Sequence, residues 1–375
     1  MFFFYLFRFK RWGEILFTIT KAIKEMSKES DRIWDVSRLI CGCAALAGLY
    51  SAAPYELGQD ALHEAIASGI TWFDMAPWYG AGLAERLTGE GLRTAIECRQ
   101  PSTLRLSTKV GRIIQRTVEC EANDPRVAFN IGHWFKGTDG TLDPAFVPVH
   151  DYTYQGVMES YRQSIERMGL TPATAGVLDT LFLHDCETEE RYAVATQDRS
   201  GVEALIELKR QGKVKKIGLG TNSSELALRL LRKYWGVFDL VMLAGQWNLM
   251  DTTGLEVLKE CRAQGTVKVI NVGVFASGLL WGIAKYKYND PSEGTMIALK
   301  KWHHYAAEVG FSLPKLALAF ACRSPLVNYL GLGCKNEKEL MDNLELLRQE
   351  QLADSVWTCA VQRGLLPEEV LSVLF

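Results

Sequence analysis

Cysteine is scarce in this chain and poorly spaced. Nine occur in 375 residues, none forms a C-x-x-C pair, and the closest two, Cys41 and Cys43, sit inside an apolar run. That argues against disulfide and zinc frameworks and points to a reducing, cytoplasmic setting. Histidine is rarer still. His63, His133, His150, His184, His303 and His304 include no H-E-x-x-H, and His303 with His304 reads as an exposed helix face, so no metal is expected. A surplus of positive charge is missing too. Lys+Arg 42 against Asp+Glu 44 leaves a formal net charge of -2, which argues against a protein that grips nucleic-acid backbones. No apolar run approaches the ~20 residues of a membrane span. Phosphate-binding glycine signatures are absent as well. There is no G-x-x-x-x-G-K-[ST], and Gly218-Leu-Gly220 and Gly331-Leu-Gly333 both lack the third glycine of G-x-G-x-x-G.

What is present is an ordinary globular composition, 48% hydrophobic and 23% charged. The start is unusual. Phe2, Phe3, Phe4, Tyr5, Leu6 and Phe7 precede Arg8, Lys10 and Arg11, the reverse of a secretory signal. An organelle-targeting or membrane-surface segment and a start at Met26 are both open. Residues 1–37 are expected to be an extension, 38–350 a single domain, and 351–375 a tail.

Short apolar runs alternate with helical periodicity through the rest. The expected strands are Leu39–Ala44, Thr71–Asp74, Leu104–Lys109, Thr180–His184, Lys216–Gly220, Leu240–Ala244, Val267–Val272 and Tyr329–Gly333. Most are dense in Val, Ile and Leu, as parallel strands covered on both faces should be. The expected helices are Ala61–Ala67, Leu83–Ile96, Gly156–Met168, Val202–Lys209, Glu225–Tyr234, Thr253–Cys261, Ile297–Val309 and Glu337–Leu347. Asn222–Ser224 is good N-cap chemistry before the fifth of these. Eight strand–helix units without a Rossmann fingerprint favour an α/β fold of the closed (β/α)₈ TIM-barrel kind over an open sheet. Length beyond the ~250 residues of a plain barrel falls in the N-terminal extension, Gly111–Tyr152, Gly282–Thr295 and the tail after Gln351.

Active sites of such barrels lie at the C-terminal ends of the strands. There the sequence places Asp74 and Tyr79, Lys109, His184 with Asp185, Thr221 with Asn222, Gln246, Phe275 with Ser277, and Cys334 with Lys335. Each alone has an ordinary explanation as a turn, cap or packing residue. Together they supply the parts for proton transfer to a carbonyl oxygen. A tyrosine titrates near 10, a nearby ammonium lowers that value, a carboxylate keeps the ammonium charged, and an imidazole orients the substrate oxygen.

The segments that carry these residues resemble the aldo-keto reductase superfamily. They are Phe73-Asp-Met-Ala-Pro-Trp-Tyr-Gly80, Leu106-Ser-Thr-Lys109, Asp179-Thr-Leu-Phe-Leu-His184, Lys216-Ile-Gly-Leu-Gly220 and Gly245-Gln-Trp-Asn248. Ala81-Gly-Leu-Ala-Glu-Arg86, Asp151-Tyr-Thr-Tyr-Gln-Gly-Val-Met158 and Phe275-Ala-Ser-Gly-Leu-Leu280 are similar to its aldose 1-, L-fucose, L-galactose and pyridoxal dehydrogenases. The resemblance implies a nicotinamide cofactor. Tyr79 would be the general acid/base, Lys109 and Asp74 would tune it, and His184 would position the reacting oxygen. Asn222 and Gln246 would hold the carboxamide, and Phe275 would stack on the ring. Ser277, Gly278 and Leu279 would approach the pyrophosphate; Gly333, Cys334, Lys335, Asp342 and Asn343 would meet the adenosine end. Trp78, Trp134 and Phe135 are candidate substrate walls. Met75 and Cys334 depart from the residues common in the family. Glu339, three before Asp342, favours NAD over NADP because a carboxylate repels a 2′-phosphate, although Lys335 points the other way. The expected reaction is oxidation of an aldose at C1 to a lactone. The alternatives are NADPH-dependent reduction of small aldehydes, oxidation of pyridoxal, and a cofactor-binding regulatory subunit without turnover. The expected partner is a small sugar or aldehyde, with no nucleic acid and no membrane beyond the N-terminal segment.

Overall fold

The computed structural model describes residues 34–98 and 102–375, so most of the expected 1–37 extension lies outside the described residues. The strands are β1 Leu39–Gly42, β2 Trp72–Asp74, β3 Arg105–Val110, β4 Arg112–Arg116, β5 Phe146–His150, β6 Leu178–His184, β7 Lys216–Thr221, β8 Leu240–Ala244, β9 Lys268–Val272 and β10 Val327–Gly333. Eight of them close into a barrel in the order β1-β10-β9-β8-β7-β6-β3-β2. Every pair around the ring is parallel.

Alternation along each strand divides two cores. Ile40, Trp72, Phe182, Leu240, Met242 and Ile270 fill the interior of the barrel. Phe73, Leu106, Leu181, Leu219, Val241 and Leu330 face outward into the larger cluster beneath the helices. Gly218 is required where it stands, because a Cβ there would lie 2.6 Å from the Leu240 carbonyl oxygen and 2.8 Å from the Phe182 ring.

The helices are α1 Tyr55–Ala67, α2 Leu83–Gly91, α3 Arg93–Cys98, α4 Tyr154–Arg167, α5 Glu189–Thr196, α6 Gly201–Arg210, α7 Ser224–Lys233, α8 Leu255–Gln264, α9 Glu293–Val309, α10 Leu313–Arg323, α11 Glu337–Arg348, α12 Asp354–Gln362 and α13 Leu371–Leu374. The helix expected over Leu83–Ile96 divides after Gly91, where α2 closes on Gln59 and Leu62 of α1 so tightly that a Cβ would collide. The cap of α7 is Ser223, whose hydroxyl accepts from the Leu226 N–H at 3.2 Å. Two helices within residues 38–350 escape the sequence pattern, and α12 and α13 form in the expected tail. α5 is short, and α10 is apolar nearly all round, with Leu316 to Cys322 all buried, so no amphipathic stripe marks it. Gly111–Tyr152 is not only loop: β4 and β5 pair antiparallel inside it, setting Arg112 opposite His150.

The segment after Gln351 is also ordered into the core. Trp357 of α12 is fully buried, 5.7 Å edge-on from Phe320 of α10. Trp357→Ala is expected to cost about 3–5 kcal/mol of unfolding free energy, measured by denaturant titration; a loss below about 1 kcal/mol would show that α12 contributes little. Among the described residues no helix is long and apolar enough to cross a membrane.

Candidate active site

β2 and β3 are neighbours, and the residues of both that face the barrel interior form one chain of hydrogen bonds. The Trp72 indole donates to Ser107 Oγ at 3.0 Å, and that hydroxyl donates to Asp74 Oδ1 at 2.7 Å. Lys109 Nζ donates to Asp74 Oδ2 at 2.5 Å and to the Met75 carbonyl at 2.8 Å. Lys109 is 2% exposed, so burial works against its charge, yet Asp74 and then Tyr79 outweigh that and keep its pKa above the ordinary lysine value. Burial pushes the Asp74 carboxyl up, opposed by Lys109 and Ser107. At Met75 it is the backbone oxygen that meets the ammonium.

Tyr79 stands in the turn after β2, its ring centroid 4.6 Å from Lys109 Nζ. The ammonium pulls the phenol pKa down as expected, but burial is the larger effect and the net shift is upward. Tyr79 is thus a protonated phenol at neutral pH. Its ring meets His184 edge-on at 6.1 Å and Phe135 at 6.1 Å. His184 ends β6. Burial and the cations Arg112 and Lys109 hold its imidazole well below the usual range, hence neutral. Nε2 lies 3.1 Å from Asp185 Oδ2, which places the ring proton on Nε2, and Nδ1 has no hydrogen-bond partner.

Asp185 has a positive φ of 44, unfavourable for a non-glycine residue. The Tyr152 hydroxyl pins this turn, within 2.6 Å of the His184 carbonyl and 2.9 Å of the Asp185 carbonyl. Tyr79, Lys109, His184 and Asp185 line a cavity of about 340 Å³, which also takes in Trp78, Trp134, Phe135, Arg112, Glu187, Arg191, Asn222 and Tyr288. Trp78 and Trp134 form one wall, with ring centroids 5.7 Å apart. The expected catalytic four and the three aromatic walls therefore converge, with Asp74 immediately behind Lys109.

The expected cofactor residues follow the rim across the ends of β7, β8, β9 and β10, which are consecutive in the barrel. Only Asn222 reaches the cavity. Gln246 is turned away: its amide donates to the Asn222 carbonyl and accepts from Ser224 Oγ, so it supports Asn222 instead of facing a ligand. Phe275 is half-buried and edge-on to Trp281 at 5.0 Å. Ser277 and Gly278 lie at positive φ, and Leu279 is buried. Gly333 is exposed and pairs with Gly42 across β1 and β10, leaving bare backbone at the rim. The Cys334 thiol is buried against Cys41, and Asn343 is buried. Lys335 Nζ bonds the carbonyl (3.3 Å) and hydroxyl of Ser51; Asp342 pairs with Lys338 at 2.6 Å. Glu339 Oε2 accepts from the Lys335 backbone N–H at 2.9 Å, a helix-start contact of α11. A carboxamide at Asn222 held only by long contacts to Asp185 Oδ1 (3.4 Å) and the Tyr288 hydroxyl (3.3 Å), bare backbone at Gly42 and Gly333, and an unpartnered nitrogen on His184 fit an extended nicotinamide cofactor.

Several groups of the cavity were not singled out by the sequence. Arg112, His150, Glu187, Arg191 and Tyr288 all belong to this region. Arg112 had a local signal, since it follows Lys109 by three residues. Tyr288 had none: its hydroxyl donates to Asn222 Oδ1 at 3.3 Å and its N–H to Ser277 Oγ at 3.2 Å, from a loop far along the chain. Among the described residues no group of three or more His, Cys, Asp or Glu is placed to hold a metal ion, and His303 and His304 are exposed on α9.

A model of the Aldo/keto reductase family matches residues 38–360. The chain is 31% identical to a pyridoxal 4-dehydrogenase of Microbacterium luteolum, over 88% of this chain and 95% of that protein. It is 28% identical to a D-threo-aldose 1-dehydrogenase of Pseudomonas sp, over 87% and 93%. Among solved structures it is similar in fold to a glycerol dehydrogenase of Gluconobacter oxydans, with a TM-score of 0.60 and 17% identity over 87% of this chain and 90% of that one. It is likewise similar to an aldo-keto reductase of Bacillus halodurans, with a TM-score of 0.62 and 18% identity over 87% and 91%.

Proposed function

Because this chain belongs to the aldo/keto reductase family, and with it to the NAD(P)-dependent oxidoreductases, we propose that it oxidises an aldose at C1 to the lactone. The observation that carries this is the buried chain Trp72–Ser107–Asp74–Lys109 delivering an ammonium to Tyr79, on the floor of a cavity walled by Trp78 and Trp134. Aromatic faces of that kind suit the C–H face of a sugar ring, and a relative is named for an aldose. A bound nicotinamide supplies the hydride acceptor. Tyr79 must first lose its own proton to solvent; as the phenolate, steadied by Lys109 that Asp74 keeps charged, it then takes the proton of the C1 hydroxyl at its oxygen and returns to the phenol. His184 lends its Nε2–H, shared with Asp185, to the substrate oxygen. Asn222 would hold the carboxamide, backed by Gln246. Phe275, Ser277, Gly278 and Leu279 would flank the ring and pyrophosphate. Gly333, Cys334, Lys335, Asp342 and Asn343 would follow the adenosine end, Cys334 and Asn343 from behind. The test is a screen of aldoses, pyridoxal and simple aldehydes with NAD, NADP and their reduced forms. No turnover of any aldose would sink the proposal.

One observation favours a second reading. Burial keeps the Tyr79 phenol protonated at neutral pH, and reduction of an aldehyde is the direction that needs that proton present. Faster reduction of simple aldehydes than oxidation of any sugar would establish it. The cysteines are all free thiols, which supports a cytoplasmic site of action.

For the cofactor we propose NAD. Glu339 is held beside Lys335, while the Lys335 and Lys338 side chains are tied to Ser51 and Asp342. A 2′-phosphate would meet a carboxylate there without an unengaged cation beside it. The expected result is a higher kcat/KM with NAD, and a smaller NAD/NADP ratio for Glu339→Arg. An NADP preference of about tenfold or more, roughly 1.4 kcal/mol, would overturn the choice; an unchanged ratio in the variant would clear Glu339 of the role.

A further inference from the structure

Arg112 is buried, yet its guanidinium is only partly used. It opens β4 directly after Gly111, whose φ of +104 and contact with the Tyr152 ring leave no room for a side chain. That turn brings Arg112 into the same cavity as Lys109. The guanidinium lies over the Trp78 ring, 4.8 Å from its centroid, and Nη2 reaches Asp185 Oδ2 at a long 3.4 Å. Nε and Nη1 have no hydrogen-bond partner, nor has Nδ1 of His150, whose ring is 6.1 Å from Trp78. Buried guanidinium N–H groups without acceptors are costly and uncommon, and their place beside the proposed reaction centre points to acceptors that arrive with the substrate.

The charge of the cavity decides which acceptors. Lys109 is matched by Asp74, Arg112 by Asp185, and Lys287 by Asp251 at 2.8 Å; Glu187 and Arg191 add one charge of each sign. A carboxylate or phosphate on the ligand would upset that balance. A hydroxyl group, which accepts and donates, matches Arg112 N–H beside Asp185 Oδ. The indole beneath offers a face for ring C–H groups.

We propose that Arg112, oriented by Asp185, determines specificity by donating to a ring hydroxyl of a neutral sugar away from the reacting carbon. This rests on the aldose reading above. The test uses wild type, Arg112→Met and Arg112→Lys, with the best aldose, its monodeoxy analogues, the corresponding uronic acid and benzaldehyde as a carbonyl without ring hydroxyls. Arg112→Met should lower kcat/KM for the aldose about 10–100-fold, chiefly through KM, as loss of a charged hydrogen bond does. The loss should exceed that for benzaldehyde by about tenfold or more, the same threshold used above for discrimination. One deoxy analogue should be poor with wild type but no poorer, relative to the aldose, with Arg112→Met. Arg112→Lys keeps a cation against Asp185 and should recover part of the KM, and cofactor titration by tryptophan fluorescence shows each variant folded. Equal losses on aldose and benzaldehyde, or an unaltered deoxy discrimination, would overturn the inference while the aldose reading stands. A wild type that prefers the uronic acid would overturn neutrality of the ligand. A wild type that oxidises no aldose would overturn the aldose reading and this inference together.

Discussion

Tyr79→Phe is expected to lower turnover by about 10²–10⁴-fold while cofactor affinity stays near that of wild type. The ring is held by contacts that phenylalanine keeps, His184 and Phe135 each at 6.1 Å and the Lys109 ammonium 4.6 Å from its centroid. Only the ionisable oxygen is lost, so the site stays packed and the proton transfer fails. Steady-state kcat on the best substrate, with fluorescence titration of cofactor, separates the two. A variant that turns over at the wild-type rate would remove Tyr79 from the chemistry.

Lys109→Met should slow the reaction comparably and also move its pH dependence. Oxidation needs the phenolate, and burial holds the Tyr79 pKa above its ordinary value, so oxidative kcat should climb with pH into the alkaline range. Lys109 is the group that lowers it. Without the ammonium the phenolate forms at still higher pH, and the rise should move further alkaline. Reduction needs the phenol and should fall over the same range. The variant also strands Asp74, 5% exposed, with Ser107 as its remaining side-chain donor. Breaking a buried pair costs about 3–5 kcal/mol, so denaturant stability should drop. Lys109→Met with Asp74→Asn should recover part of that stability without recovering the rate. A variant with an unshifted pH profile would show that Lys109 does not tune Tyr79.

Asp74, Tyr79, Lys109 and His184 were legible because each stands at or just beyond a strand end inside a run of recognisable local pattern. Strand Leu240–Ala244 is found as expected, since a dense apolar run reports burial on both faces, and Leu104–Lys109 differs by one residue at each end. α10 was not legible, because a helix buried on every side has no polar face to reveal its period. The β4–β5 pair was hidden for another reason: thirty or so residues rich in turn formers part its two strands, and only their pairing makes them strands.

The sequence by itself determined the alternation of strands and helices, the barrel and the strand-end positions of the residues proposed for proton transfer, since periodicity, capping and strand-end position depend on neighbours along the chain. The tertiary structure decided what those residues can do. It turned the Gln246 amide onto Asn222, tied Lys335 to Ser51 and the Glu339 carboxylate to the Lys335 N–H, and set Arg112 between Trp78 and Asp185. It also reversed the expected shift of Tyr79, where burial outweighs the ammonium. Hydrogen-bond partners and desolvation are set by groups brought together from distant parts of the chain, 284 residues apart for Lys335 and Ser51, and no local pattern encodes which of them will meet.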